Sequence, residues 1–184
     1  MITPHQLEAA RRGQRQAQRL LYDAFAAQVF GVCRRYASDY AEAEDFAQDA
    51  WLHAFAKLGD CREAAGLGGW LRRVAVTTCL MALRRRRVAV DGAAAEALAR
   101  GDTPLPEGLH VAPEVLSRMS AAEIVAYVAA LPDGFRAVFN LVAVEGYSHA
   151  EAAEALGITP ASSRSQLTRA RASLRARLTR TLVA

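Results

Sequence analysis

The chain has 184 residues, 52% apolar and 23% charged, with a formal net charge of +4. That balance excludes a disordered or collagen-like chain and suits one medium or two small globular domains. No run of about 18 apolar residues occurs, which excludes a membrane-spanning helix, and the N-terminal MITPHQLEAARRGQRQ has charge without an apolar centre, so a cytoplasmic protein without a secretory signal is expected.

Apolar residues recur at spacings of three and four rather than two, so the expected fold is all-α. Residues 6–37 read as helix, with a break near Gly13 and a buried stripe of Leu21, Phe25, Val29, Val32 and Tyr36. The first seventeen residues carry no motif; they either extend the first helix or serve a partner. A turn at Ser38, Asp39 and Tyr40 precedes a helix over about 41–58, whose inner stripe is Ala47, Ala50, Trp51, Ala54, Phe55 and Leu58. Another face of it holds Asp45, Gln48, Asp49 and Leu52. The Gly-rich GDCREAAGLGG (59–69) reads as a loop. A helix follows from Trp70 to about Arg87, with Leu71, Val74, Thr78 and Ala82 on one side and Arg73, Thr77, Leu80 and Arg84 on another.

Residues 88–118 change character. They hold Pro104, Pro106 and Pro113, and five acids (Asp91, Glu96, Asp102, Glu107, Glu114) against Arg100 and Arg118. This is the composition of an acidic linker, with a short helix over 93–99 as a local option. Helical pattern returns near Ala121 and runs almost to the end. The expected architecture is therefore two small helical domains, 1–87 and 119–184, joined by a flexible linker at 88–118.

Charge is segregated along the chain. Beyond Ala155 there are six Arg and no acid, Arg84 to Arg87 are consecutive, and Tyr36 to Ala56 hold five acids and no Lys or Arg. Such blocks mark either separate surfaces for separate partners or ordinary solvated helix faces. Cys33, Cys61 and Cys79, and His5, His53, His110 and His149, show no ligand-like spacing, so neither metal nor cofactor is expected. Cys33 and Cys79 sit in apolar helical patterns and read as buried thiols. No nucleophile stands at a useful spacing from a base, which argues against an enzyme.

The stretch SHAEAAEALGITPASSRSQLTRAR (148–171) carries two helix starts. Ser148 and Glu151 form a capping box, Gly157 suits a left-handed C-terminal cap, and Thr159-Pro160 restarts a helix at once. Helix, tight Gly turn, helix is a helix-turn-helix. On the second helix Ser163, Leu167, Ala170 and Leu174 face inward. Ala161, Ser165, Thr168 and Ala172 lie opposite, flanked by Arg164, Arg169 and Arg175. Small residues permit close approach to a groove, and flanking Arg reach phosphates or guanine edges, so DNA is the expected ligand.

These motifs resemble the bacterial RNA polymerase sigma factors of the extracytoplasmic-function group. LPDGFRAVFNLVAVEGYSHAEAAEALGITPASSRSQLTRARASLRARL (131–178) is similar to their region 4. Residues 20–58, with AEDFAQDAW, and 68–87, GGWLRRVAVTTCLMALRRRR, are similar to region 2. The resemblance implies a chain that binds core polymerase and directs it to promoter DNA. Glu42, Glu44, Asp45, Gln48, Asp49 and Leu52 would meet the clamp helices of the β′ subunit, with Asp49 standing where Glu is usual. The 59–69 loop and the following helix would open the −10 element and hold its displaced strand through Arg73, Thr77, Arg84, Arg85, Arg86 and Arg87. Thr77 stands where many relatives carry Asn. Trp70 occupies a core position of the family.

In region 4 the resemblance implies that Arg164, Ser165, Thr168 and Arg169, with Arg171, meet the −35 element. Ser163 replaces a commonly apolar residue there, and Gln166 a common Arg. The β flap would hold this domain, and an anti-sigma factor is an expected partner. Two other readings fit parts of the chain: a stand-alone helix-turn-helix regulator, which predicts dimers on palindromic sites, and a sigma-like protein that sequesters a partner.

Overall fold

The computed structural model describes residues 2–89 and 120–183, and every regular element among them is helical. The chain falls into two compact units, 1–82 and 83–184. The proposed linker and the local helix at 93–99 lie outside the described residues, except that 88 and 89 continue a helix.

The first unit opens with α1 (Pro4–Arg11) and α2 (Arg15–Tyr36). Thr3 and Gln6 close a capping box ahead of Pro4, which supplies the helical φ without needing an N–H partner. Between the helices Gly13 adopts φ +76° and donates to the Ala10 carbonyl, a turn that a β-carbon would strain. The break expected near Gly13 is therefore complete. Asp39 caps α3 (Tyr40–Ala56) by accepting from the Glu42 N–H at 2.9 Å. Two short 3₁₀ turns, Leu58–Asp60 and Ala64–Gly66, lead into α4 (Leu67–Ala89).

The expected loop ends earlier than its glycines suggest. Leu67 is fully buried, and Gly68 and Gly69 form the first turn of α4. Gly68 stands there because the helix start packs tightly on α2: a β-carbon would lie 3.2 Å from Phe25 Cε1. Gln28 Nε2 also donates to the Gly68 carbonyl at 2.9 Å.

The core of this unit joins Leu21, Val29, Val32, Cys33 and Tyr36 of α2 to Ala43, Phe46, Ala50, Trp51 and Ala54 of α3. Alanine at 43, 50 and 54 lets α3 approach closely. Tyr22 packs on Trp51 at 5.0 Å between centroids and Trp51 on Phe55 at 5.3 Å, so three rings lock the two helices along one edge. On α4 the covered surface is broader than the sequence stripe. It takes in Leu71, Ala75, Val76, Thr78, Cys79 and Leu80. Leu80, expected beside the exposed Arg73 and Thr77, is only 7% exposed. Helical angle alone did not separate it from them, because burial also depends on what lies beside each turn. Buried Thr78 donates to the Val74 carbonyl at 2.9 Å and meets His53 Nδ1 at 3.1 Å, which satisfies a polar group in an apolar wall. Cys33 and Cys79 are buried free thiols, as expected. A hydrogen bond with Cys33, and then burial, push the Cys79 thiol up and keep it protonated. Cys61 is buried as well, and desolvation pushes its thiol up.

The second unit contains α5 (Ala121–Ala129), α6 (Asp133–Val138), α7 (His149–Leu156) and α8 (Pro160–Val183). Besides the stop expected at Gly157, the helical pattern from 121 is broken twice. The first helix closes at Ala130 and Pro132 precedes the next, and Gly146, at φ +80°, follows a π-helical segment, Phe139–Val144. Arg136 explains how these short pieces hold together. It is 1% exposed and donates to the carbonyls of Ala129 at 2.6 Å and Leu131 at 3.1 Å, and to the Asp133 carboxylate at 2.6 Å. One guanidinium thus satisfies the carbonyls left at the end of α5. Asn140 Nδ2 donates to the Arg136 carbonyl at 3.0 Å and ties in the π segment.

Candidate polymerase and nucleic-acid interfaces

The helix-turn-helix forms as its local signals require. Ser148 Oγ accepts from the Glu151 N–H at 3.2 Å, while the Glu151 carboxylate accepts from the Ser148 N–H at 2.8 Å and hydroxyl at 2.7 Å. These bonds, the hydroxyl first, hold the Glu151 carboxyl below its ordinary pKa. Gly157 closes α7 at φ 65° and ψ 42°, and Thr159 Oγ1 accepts from the Ser162 N–H at 3.1 Å ahead of Pro160. The turn is only three residues long, so the direction of α8 is set by caps at both of its ends.

The inner face of α8 is Ser163, Leu167 and Ala170, all buried, with Leu174 half-buried. Ser163 is fully buried, yet it is satisfied: its hydroxyl lies 2.9 Å from His149 Nδ1 on the first residue of α7. The sequence did not identify that pair. Its only signal was a polar residue at an inner position and a histidine just past the capping Ser148. Gln166 turns inward too, at 6% exposure, beside Gly134, where a β-carbon would lie 3.2 Å from Gln166 Oε1.

The outer face presents Ala161, Arg164, Ser165, Thr168, Arg171 and Arg175 to solvent, with Arg169 half-buried beside them. The Thr168 hydroxyl donates to the Arg164 carbonyl at 3.1 Å. Its proton is thereby held within the helix, which leaves the methyl group for apolar contact, as thymine readout uses.

On α3 the structure brings Glu44, Asp45, Gln48, Asp49 and Leu52 to the exposed side, with Leu52 63% exposed. Among the described residues no ion pair engages Asp45 or Asp49. Glu42 differs from this group. It is half-buried, and its carboxylate accepts from the Ser38 N–H and hydroxyl, both at 2.6 Å. Its carboxylate is taken up by Ser38, the residue just ahead of the Asp39 cap. The surface left for a partner is acidic with one apolar knob, which suits a basic helical surface.

On α4, Arg73, Thr77, Arg84, Arg85 and Arg86 are exposed, and Arg87 lies in the helix's last turn. Trp70 is half-buried at its start. Ahead of the helix, the 58–66 segment has buried anchors at Leu58 and Cys61 and an exposed rim of Gly59, Asp60, Arg62, Glu63, Ala65 and Gly66. The arrangement therefore offers an anionic apolar-centred face, a cationic helix with an adjoining loop, and a cationic helix-turn-helix.

Comparison with known proteins matches "Sigma-70 region 2" to residues 21–88 and "Sigma-70, region 4" to residues 121–174. The chain is 32% identical to "ECF RNA polymerase sigma factor SigM" of Mycobacterium tuberculosis over 162 residues, 88% of this chain and 77% of that protein. It is also 32% identical to "Probable RNA polymerase sigma factor RfaY" of Xanthomonas campestris, with 93% of this chain aligned to 42% of that protein's length. Among solved structures, the sigma factor RpoE of Bartonella quintana, crystallised with the anti-sigma factor NepR, shares the fold. Its TM-score is 0.50, at 19% identity, over 88% of this chain and 96% of that one.

Proposed function

Since the chain belongs to the extracytoplasmic-function group of sigma-70 factors, with region 2 ahead of region 4, we infer that it binds core RNA polymerase and directs promoter-specific initiation. The observation that carries this reading is the coexistence in one chain of the acidic Asp45, Asp49 and Leu52 face and the doubly capped helix-turn-helix. A DNA-binding regulator acting alone has no use for the first. Residues 1–87 serve polymerase docking and the −10 element, 88–118 link, and 119–184 serve the −35 element.

Each surface has a role in keeping with its chemistry. Asp45, Gln48, Asp49 and Leu52, with Glu44, dock on the β′ clamp helices, where long-range attraction speeds encounter and the apolar knob adds contact area. Glu42 supports that face by holding Ser38 at the start of the helix. Arg73, Thr77 and Arg84 to Arg87 hold the displaced −10 strand, since opening a duplex leaves unpaired bases and phosphates that need cationic and stacking partners. Arg164, Ser165, Thr168, Arg169 and Arg171 approach the −35 major groove, and the β flap receives region 4. The chain is a specificity subunit rather than an enzyme. Among the described residues no helix is long and apolar enough to cross a membrane, in keeping with a cytoplasmic site of action. An anti-sigma factor that covers these surfaces is the expected regulator, as the Bartonella relative is held by one.

The test mixes the purified chain with core polymerase and maps transcript starts on genomic DNA. Discrete starts that share −35 and −10 elements are expected. DNA binding at palindromes without polymerase would replace this reading with a stand-alone regulator, and tight polymerase binding without starts would replace it with sequestration.

A further inference from the structure

Arg11 ends α1, within the N-terminal stretch to which no motif assigns a task. Its guanidinium reaches the segment after α3, some fifty residues further along the sequence. Nε donates to the Leu58 carbonyl at 3.4 Å, and Nη2 donates to the Cys61 carbonyl and to the Arg62 carbonyl at 3.4 Å. Nη1 donates to the Glu8 carboxylate at 3.1 Å, so the head group is held from its own helix as well. The side chain is 26% exposed.

Two of the three carbonyls, those of Cys61 and Arg62, lie past the 3₁₀ turn that ends at Asp60, while the Leu58 carbonyl also accepts from the Cys61 N–H at 3.3 Å within that turn. A planar cation with five donors satisfies several carbonyls at once in one orientation, which a lysine does not. The clamp acts directly beneath the exposed rim. Leu58 and Cys61 point inward, while Gly59, Asp60, Arg62 and Glu63 stand out around them. The backbone path of that rim is therefore set by a residue of α1.

Resting on the reading that this segment works with α4 on the −10 element, we propose that Arg11 is a positioning residue for −10 base specificity. It touches no base. It holds the 58–62 backbone in one conformation before DNA arrives, so an unpaired base meets a formed recess and the loop needs no ordering at that step. Discrimination between bases depends on such preorganisation, because a loop that adjusts to each base accepts more of them. The same link gives the N-terminal helix a task in promoter selection without any contact to DNA.

The test uses full-length Arg11→Ala and Arg11→Lys, each assembled with core polymerase, on promoters carrying every base at each −10 position. For Arg11→Ala, discrimination between the preferred and next-best base should fall by about tenfold or more, in line with the sensitivity of a positioned group to small displacements. Arg11→Lys should recover part of it. Core affinity and −35 duplex affinity should stay within about twofold of the unaltered chain, since neither surface includes Arg11. Unaltered discrimination in Arg11→Ala would overturn the proposal. So would a parallel loss of core binding, −35 binding and amide protection in both variants, which would make Arg11 a folding tie alone. The unaltered chain is read first: if it gives no promoter-dependent starts, the sigma-factor reading itself fails.

Discussion

Arg136→Met offers a direct test of how the second unit holds its recognition helix. Methionine keeps much of the side-chain volume but donates nothing. The Ala129 and Leu131 carbonyls, accepting at 2.6 and 3.1 Å in a buried setting, lose their partner, and the Asp133 carboxylate loses a contact at 2.6 Å. Replacing a buried ion pair by apolar groups is often harmless when both partners are replaced. Here two of the acceptors are backbone and cannot be. At about 1–3 kcal/mol for each buried acceptor left unsatisfied, the cost is about 2–6 kcal/mol. A helical unit of this size has total stability of only a few kcal/mol, by the usual ~0.05–0.15 kcal/mol per residue. The substitution should therefore unfold it or leave it marginal. Hydrogen exchange reads this locally: amides of α7 and α8 should lose protection, while those of α2 and α3 keep theirs. Binding of −35 duplex should be lost while core polymerase still binds through region 2. Full protection of α7 and α8 in Arg136→Met would refute the claim that this guanidinium holds the unit together.

The other expectations are more local. The Glu151 carboxyl is held below its ordinary pKa, so its contribution to stability is complete above the unfolded carboxyl pKa and is lost as pH falls through the lower folded value; Glu151→Gln should flatten that acid dependence, and an NMR titration of Glu151 at the ordinary glutamate pKa would contradict the cap. Asp45→Arg should weaken core-polymerase binding with helix content unchanged by circular dichroism, and unaltered affinity would move the docking face elsewhere. Arg164→Ala and Arg169→Ala should each cost about 1–3 kcal/mol of −35 affinity if the side chain reads a base, leaving core binding intact; equal loss of both activities in these variants would indicate misfolding.

Much of the candidate site could be read from the chain because its signals are short-range. The Ser148 and Glu151 box, the left-handed Gly157 and the Thr159-Pro160 start each act within four residues, so they work the same way whatever surrounds them. The exposed positions of Asp45, Asp49, Leu52, Arg164 and Thr168 followed from helical period on well-defined helices. Period failed where a helix is covered on more than one side, as at Leu80, although it placed Ser163 inward, where the structure buries it. It also failed at Pro132 and Gly146, where an apparently continuous helix is several short ones.

The sequence by itself thus determined the helical class, the two motif-bearing segments, the caps of the helix-turn-helix and the separation of acidic from basic faces. Tertiary structure alone decided which residues hold those parts in place. Arg11 meets carbonyls some fifty positions away, Gly68 admits Phe25, and His149 satisfies Ser163 across the turn. Each depends on a distance between elements that no local pattern encodes. A buried donor finds whichever acceptor packing brings within about 3 Å, and only the packed chain says which one that is.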